Sequence, residues 1–318
     1  MEPYKVAVFG LGYVGLPVAL FCQSKGYEVI GIDVDPKKVA TINRGRSPIK
    51  DPYIASCLRK GLRIEASTNP RDAEGADVIT ISVPTDTYVP LEQVSHTVGR
   101  LVKKGSLVVI ESTVEPGTCE ERVIEILQAE LSKRGSYKVG RDVYVAHCPE
   151  RINPGDPIWT VENIPRVVGA TSKRGLERAV SFYSSLLGPD AVTGVSSIAT
   201  AEMCKVLENT FRGYNIALAN GYAMLCHSMG INSLELIKAA STKPFGFLAH
   251  WPSRGIGGHC IPKDTDFSRK QAERQGIALL ENLLRAAIEL NTRMPFYAVD
   301  MLAEGLNEVR RPVNGSTA

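Results

Sequence analysis

Three groups of residues have the types and the spacing to do chemistry. The first is Gly255-Ile-Gly-Gly-His-Cys-Ile-Pro-Lys-Asp264, where Cys260 follows three glycines and stands beside His259, Lys263 and Asp264. Glycines permit close backbone approach and ionisable neighbours favour a thiolate, so Cys260 reads as a nucleophile that accepts an acyl group. His259 reads as orienting the loop rather than as the base. The plain alternative is a small buried hydrophobe, the reading given to Cys22, Cys57, Cys119, Cys148, Cys204 and Cys226. The second group is Lys205 and Asn209, four residues apart and so on one face of a helix. Such a pair can hold a substrate hydroxyl and then stabilise the oxyanion made from it. Alone it also fits a solvated lysine and a packing asparagine, but the helix around it is otherwise rich in apolar residues.

The third group is Gly10-Leu-Gly-Tyr-Val-Gly15. In such a turn the first glycine makes the bend, the second lets the backbone approach a pyrophosphate, and the third lets the helix pack on the strand. Gly10, Gly12, Tyr13, Val14 and Gly15 are therefore expected around a dinucleotide. Asp33 comes 18 residues after Gly15, where an acid can accept hydrogen bonds from the adenosine ribose and repel a 2′-phosphate, which favours NAD over NADP. A dinucleotide turn with a downstream acyl acceptor points to an oxidation that passes through an aldehyde to an acid.

The elements that must position these groups follow from short apolar runs. Lys5–Phe9, Glu28–Asp33, Asp77–Val83, Ser106–Ile110, Asp142–Ala146 and Arg166–Gly169 read as strands, and Val14–Lys25, Leu91–Val102, Thr118–Lys133 and Lys173–Leu187 as helices. Their alternation predicts a doubly wound parallel sheet of Rossmann type over residues 1–196. From Ser197 to Met229 there is no proline, and the composition predicts one long helix with candidate breaks at Gly213 or Gly221. A loop over Lys243–Pro262 and a helical segment from Gln271 to Val309 complete an all-α central domain, 197–309, with the character of a dimerisation surface.

Composition narrows the function classes. With 318 residues and 44% hydrophobic content the chain can bury a large core, and a net charge of +3 gives no footprint for nucleic acid or an anionic membrane. The uncharged stretch Val6–Ser24 is nearly long enough to span a bilayer, but its glycines and Pro17 suit a strand, turn and helix better. Seven cysteines without a CxxC pair argue against a disulfide framework or a zinc site and fit a reducing cytoplasm.

At these residues the chain resembles the nucleotide-sugar 6-dehydrogenases, the UDP-glucose/GDP-mannose dehydrogenase family. The matches are Gly10 to Gly15, Asp33, Ser82-Val-Pro-Thr85, Glu111-Ser-Thr113, Pro149-Glu150, Lys205 with Asn209, and Gly257 through Asp264. The runs Pro149–Gly155, Asn215–Asn220 and Ser241–Phe247 look more like the branch acting on UDP-N-acetylhexosamines, of the N-acetylglucosamine or N-acetylmannosamine type. Trp251-Pro-Ser-Arg254, Lys263-Asp-Thr265 and Gly221 depart from that branch's usual pattern.

The resemblance implies a cytoplasmic homodimer that converts the C6 alcohol of a UDP-sugar to a carboxylate with two NAD, as in polysaccharide biosynthesis. It implies Cys260 as nucleophile, Lys205 and Asn209 stabilising the oxyanion, and Asp264 organising the water or lysine that removes the alcohol proton. Glu150 would be a base or hold the hydrolytic water, and Thr113 would lie between cofactor and substrate. Gly10, Gly12, Asp33, Lys38, Thr85 and Lys263 would line the NAD site. The family carries a third, UDP-gripping α/β domain, so residues 310–318 are expected to be its start, and the chain as it stands is expected to bind NAD yet oxidise UDP-sugars poorly. Two rival readings remain: a two-electron β-hydroxyacid dehydrogenase using Lys205 with Cys260 incidental, and a dinucleotide-binding or dimerising partner without activity.

Overall fold

The computed structural model describes residues 5–152, 156, 158–258 and 260–316. The chain divides into two compact units, Met1–Lys205 and Val206–Ala318.

The first unit is built on the apolar runs. Its strands are β1 (Lys5–Phe9), β2 (Glu28–Ile32), β3 (Glu65–Ser67), β4 (Val78–Ile81), β5 (Leu107–Ile110), β6 (Tyr144–His147), β7 (Arg166–Ala170) and β8 (Val192–Gly194), in the spatial order 3-2-1-4-5-6-7-8. The first six are parallel, the doubly wound arrangement with its reversal of direction between β1 and β4. Alternate residues of β1 feed opposite cores: Val6 and Val8 pack with helices α1 (Gly15–Ser24), α2 (Pro36–Asn43), α3 (Pro52–Arg59) and α6 (Lys173–Leu187). Ala7 and Phe9 pack with α4 (Val89–Leu101) and α5 (Glu125–Lys133). A strand buried on both faces must be apolar throughout, which is why these runs lack polar alternation.

The expectation of a wholly parallel sheet needs one correction, because β7 runs antiparallel to β6. A parallel neighbour needs a long crossover, usually helical, and among the described residues no helix lies between β6 and β7, where the chain returns in the opposite sense. The segment Thr118–Lys133 is also not one regular helix: Cys119–Ile124 is a π-helical stretch that leads into α5. The buried carboxylate of Glu202 accepts from the backbone N–H groups of Gly117 and Cys119 there, at 2.6 and 2.9 Å. Val6–Ser24 folds as β1, turn and α1, and among the described residues no helix is long and apolar enough to cross a membrane.

The long helix α7 (Ile198–Ser228) is unbroken at Gly213 and Gly221, and the division between the two units falls within it. In the second unit follow α8 (Ser233–Ala240), α9 (Cys260–Arg274) and α10 (Ala278–Glu308). A glycine inside a helix costs about 1 kcal/mol relative to alanine, and Gly213 has a reason for it. A Cβ there would stand 2.7 Å from Thr265 Oγ1 and 3.0 Å from Ile261 Cγ2, so α7 and α9 meet at this point.

Candidate active site

The dinucleotide turn joins β1 to α1 at the reversal point of the sheet. Gly10 has φ +90°, and a Cβ on it would lie 2.5 Å from the Ser82 carbonyl oxygen at the end of β4. A Cβ on Gly15 would lie 1.9 Å from the Gly10 carbonyl oxygen. Around Gly12 there is nothing within 4 Å of such an atom, which leaves open space where the backbone can meet a diphosphate. The helix begins at Val14 with no side-chain cap, so its N-terminal N–H groups suit an anion. Tyr13 is exposed beside the turn. These residues fit NAD.

Asp33 follows β2 with a carboxylate that accepts three hydrogen bonds from the protein. Its Oδ2 accepts from the Leu11 N–H at 2.8 Å and from Lys38 Nζ at 2.7 Å, and its Oδ1 from the Asp35 N–H at 3.0 Å. Burial pushes the Asp33 carboxyl up, but the hydrogen bonds from Lys38, Asp35 and Leu11 outweigh it and hold the group below the usual aspartate range. Asp33 is thus anionic, and through the Leu11 N–H it also pins the glycine turn. Asp33→Ala should weaken NAD binding about tenfold or more, since charge-assisted contacts are worth ~1.5–3 kcal/mol. The same change frees Lys38 to meet a 2′-phosphate, so NADP binding should strengthen; calorimetric titration of both cofactors reads both effects. Equal affinity of the unmodified protein for NAD and NADP would refute the role given to Asp33.

The ends of β4, β5 and β6 carry the other residues of this unit. Thr85 Oγ1 donates to the Thr113 carbonyl at 2.6 Å, which ties the segments after β4 and β5 together. Glu150 is buried after β6: its Oε2 receives Arg166 at 2.5 Å, and its Oε1 the N–H groups of Arg151 and Ile152, both at 2.7 Å. Beside it Glu111 is fully buried, accepting from Tyr183 Oη at 2.8 Å and Ser82 Oγ at 2.9 Å. Burial pushes the Glu111 carboxyl up to about 7 against the pull of Arg166, with the charge of Glu150 adding to the rise.

The sequence pattern pointed to Glu150 but not to Glu111, Arg166 and Tyr183 as its surroundings. A charged residue heading the otherwise apolar run Arg166-Val-Val-Gly169 was the available signal, since a buried arginine needs a partner.

In the second unit Cys260 is the first residue of α9, not part of a loop, and Asp264 lies one turn on. Among the seven cysteines it alone is exposed; Cys204 is intermediate and the rest are buried. Burial raises the thiols of Cys22, Cys57 and Cys119, and pushes Cys148 up to about 12, so these four are held as inert thiols. The fully buried Asp264 receives Asn209 Nδ2 at 2.6 Å. Lys205 precedes Asn209 by four residues on α7 and is the last residue of the first unit, whereas Lys263 stands on α9 with Nζ 5.4 Å from the centre of the Phe267 ring.

The chain leading to Cys260 is braced by two amides that the sequence analysis did not single out. Asn220 Oδ1 accepts the Ser253 N–H at 2.7 Å, Asn220 Nδ2 donates to Asn291 Oδ1 at 2.9 Å, and Asn291 Nδ2 donates to the Gly213 carbonyl at 3.1 Å. Gly255, with φ +111°, rests on α10, where a Cβ would stand 3.1 Å from the Asn291 carbonyl and 3.5 Å from Pro295 Cδ. His259, and Asn153, Pro154 and Gly155 of the Pro149–Gly155 run, lie outside the described residues.

A glycine turn at the reversal point of the sheet, with a buried acid following β2, is the arrangement of an NAD-binding dehydrogenase domain, and the second unit adds an exposed cysteine on a helix that carries a buried, amide-bound aspartate. The sequence profiles of the UDP-glucose/GDP-mannose dehydrogenase family match the chain twice, the NAD binding domain over residues 4–187 and the central domain over residues 199–293. The chain belongs to that family. It is 36% identical over 317 residues to the UDP-N-acetyl-D-mannosamine dehydrogenase of Pyrococcus horikoshii, covering 96% of this chain and 72% of the relative. With the enzyme of the same name from Escherichia coli K12 it shares 36% over 311 residues, covering 93% and 71%. The solved structure of the Pyrococcus horikoshii UDP-D-ManNAc dehydrogenase superimposes with a TM-score of 0.84 at 34% identity, again over 96% of this chain and 72% of the other.

Proposed function

We propose that this chain carries out the NAD-dependent, four-electron oxidation of the C6 alcohol of a UDP-sugar, a UDP-N-acetylhexosamine, to the uronic acid through covalent attachment to Cys260. The observation that carries the reading is the exposure of Cys260 alone among seven cysteines, at the head of the helix that bears Asp264. The names of the relatives support the substrate class.

Bound on the Gly10–Gly15 turn, NAD supplies the hydride acceptor for each of the two oxidations. Asp264, oriented by the Asn209 amide, organises the group that takes the C6 hydroxyl proton. Asn209 keeps a second N–H beyond the one given to Asp264, and with the Lys205 ammonium it stabilises the alkoxide. The Cys260 thiolate then adds to the aldehyde carbon, which gives a thiohemiacetal. Loss of a second hydride leaves a thioester on Cys260, and water held by Glu150 cleaves it to carboxylate and free thiol. Thr113 spaces the sugar from the cofactor. Covalent capture retains the aldehyde until it is oxidised again.

Counting NADH against uronic acid tests this directly, with UDP-N-acetylmannosamine as first substrate. The expected ratio is two. A ratio of one NADH with an aldehyde or ketone as product would favour the two-electron hydroxyacid reading, and no NADH from any UDP-sugar would favour a binding partner.

The functional form we propose is a cytoplasmic homodimer joined through the second unit. Leu207, Phe211, Leu218, Tyr222 and Leu225 form an apolar stripe along one face of α7, each exposed in the single chain, and a stripe of that length calls for cover by a partner. Seven cysteines without a disulfide among them support a reducing compartment. Sedimentation showing a monomer at micromolar concentration would refute the dimer.

A further inference from the structure

Two buried carboxyl groups and a single buried guanidinium meet beyond the ends of β4, β5 and β6. Arg166 is 2% exposed, Glu150 6% and Glu111 0%. If both acids were ionised the cluster would carry a net negative charge away from water, which is strongly unfavourable. Geometry says where the proton resides. Glu150 holds the direct ion pair with Arg166 and accepts two backbone N–H groups, so all its contacts favour the carboxylate. Among the described residues the Glu111 carboxyl meets only hydroxyls, Tyr183 Oη and Ser82 Oγ, whose neutral hydrogen bonds favour the anion less than an ion pair does. The remaining groups facing Glu111 are the thiols of Cys22 on α1 and Cys148 after β6, both kept neutral by burial. Arg166 also has spare capacity, since its Nε finds no acceptor among the described residues.

Glu111 is tied to the site as well as buried beneath it. Its backbone carbonyl accepts the Glu150 N–H at 3.2 Å, Thr113 follows two residues on, and Ser82 opens the segment that carries Thr85.

We infer that Glu111 is a positioning residue for Glu150: it lies within the field of the Arg166 guanidinium that pairs with Glu150 and, by gaining or losing one proton, sets how tightly Glu150 is held. With Glu111 neutral, Arg166 serves Glu150 alone. When Glu111 ionises, its charge competes for the guanidinium, the hold on Glu150 loosens, and Glu150 is freer to orient the water that releases the product. The inference rests on the proposed reaction for its consequence but not for the proton itself.

The test uses the whole chain with Glu111→Gln, which keeps shape and removes the charge, and Tyr183→Phe, which removes one hydrogen bond to the carboxylate. Infrared difference spectra without substrate should show a buried carboxyl group of the unmodified protein losing its proton across about pH 5.5 to about pH 8.5, centred near the value of about 7 given above. Glu111→Gln should lack that band, and Tyr183→Phe should move its midpoint to higher pH because a bond favouring the anion is gone. Thermal stability gives the same sign. The folded state holds this proton more tightly than the unfolded chain, so stability falls as pH climbs from the ordinary 4.5 to about 7, and Glu111→Gln should lack that fall. In turnover, uronic acid release should rise with pH through the same window in the unmodified protein and stay at its low-pH level in Glu111→Gln.

A carboxyl band that does not titrate, or that persists in Glu111→Gln, overturns the assignment of the proton whether or not any UDP-sugar is oxidised. A band that behaves as expected beside unchanged pH profiles of acid release in both variants overturns the positioning role.

Discussion

Cys260→Ala is expected to abolish uronic acid formation while leaving NAD bound with unchanged affinity. The residue is exposed and outside the apolar core, so trimming its side chain should change stability by no more than about 0.5 kcal/mol. The dinucleotide turn, by contrast, draws on Gly10, Gly12, Gly15 and Asp33, none of which this change touches. Without the thiolate there is no thioester for water to cleave, and the rate of acid formation should fall at least about a thousandfold, the scale seen when a covalent nucleophile is removed. The first oxidation needs no thiol, so a slow, sub-stoichiometric formation of NADH with free aldehyde is compatible with the variant. Quantifying uronate by mass spectrometry alongside calorimetric NAD titration separates the two parts. Normal acid formation by the variant would exclude covalent catalysis.

Two alanine substitutions in the turn should fail for different reasons, and the contrast is the second large effect. At Gly15 a Cβ would stand 1.9 Å from the Gly10 carbonyl and 3.2 Å from Val8 Cγ1, so β1 and α1 cannot keep their spacing. Gly15→Ala should therefore destabilise the first unit by about 3 kcal/mol or more, the upper range for overpacking a core, and lose NAD as a consequence. At Gly12 a Cβ meets nothing in the protein, so Gly12→Ala should melt like the unmodified chain. Its methyl group instead occupies the space intended for the pyrophosphate, and NAD affinity should drop a hundredfold or so, about 2.7 kcal/mol. Thermal melts beside NAD titrations for both variants give the answer. Should Gly12→Ala bind NAD normally, the diphosphate does not lie against that glycine.

The parts of this architecture visible in the sequence are those where a local rule coincides with the tertiary demand. The strands β1, β2, β4, β5 and β7 are apolar runs buried on both faces, and the Gly10–Gly15 pattern is a backbone requirement written directly in residue types. The helices α2 and α3 passed unassigned although each begins at an Asp-Pro pair, Asp35-Pro36 and Asp51-Pro52, whose aspartate caps the first turn. Strands of three residues, β3 and β8, are too short to carry a periodic signal. The loop expected over Lys243–Pro262 overlaps the start of α9 at Cys260, because a proline within the first turn removes no helical hydrogen bond.

The candidate site divides in the same way. Cys260 and its neighbours stand out by composition, and the face shared by Lys205 and Asn209 follows from helical spacing. The hydrogen bond from Asn209 to Asp264 joins residues 55 apart in sequence, and no spacing rule reaches that far. The Glu111–Arg166–Glu150 cluster depends on three charged residues being buried together, whereas charged residue types by themselves are expected at the surface.

Pro295 in the middle of α10 looks like a target for thermostabilisation, because an interior helical proline lacks the N–H that the Asn291 carbonyl would otherwise receive and costs about 3 kcal/mol on helix-propensity scales. The packing of Gly255 makes it a poor one. The loop before Cys260 is seated on that interrupted turn, with the Asn291 carbonyl and the proline ring forming its floor. Regularising the helix would draw the carbonyl back into the helical ladder and take away the ring that Gly255 rests against. A consensus-minded engineer would gain a better helix and lose the bed on which the loop leading to Cys260 is set, so the stability of α10 and the placement of that loop are coupled through one imino acid.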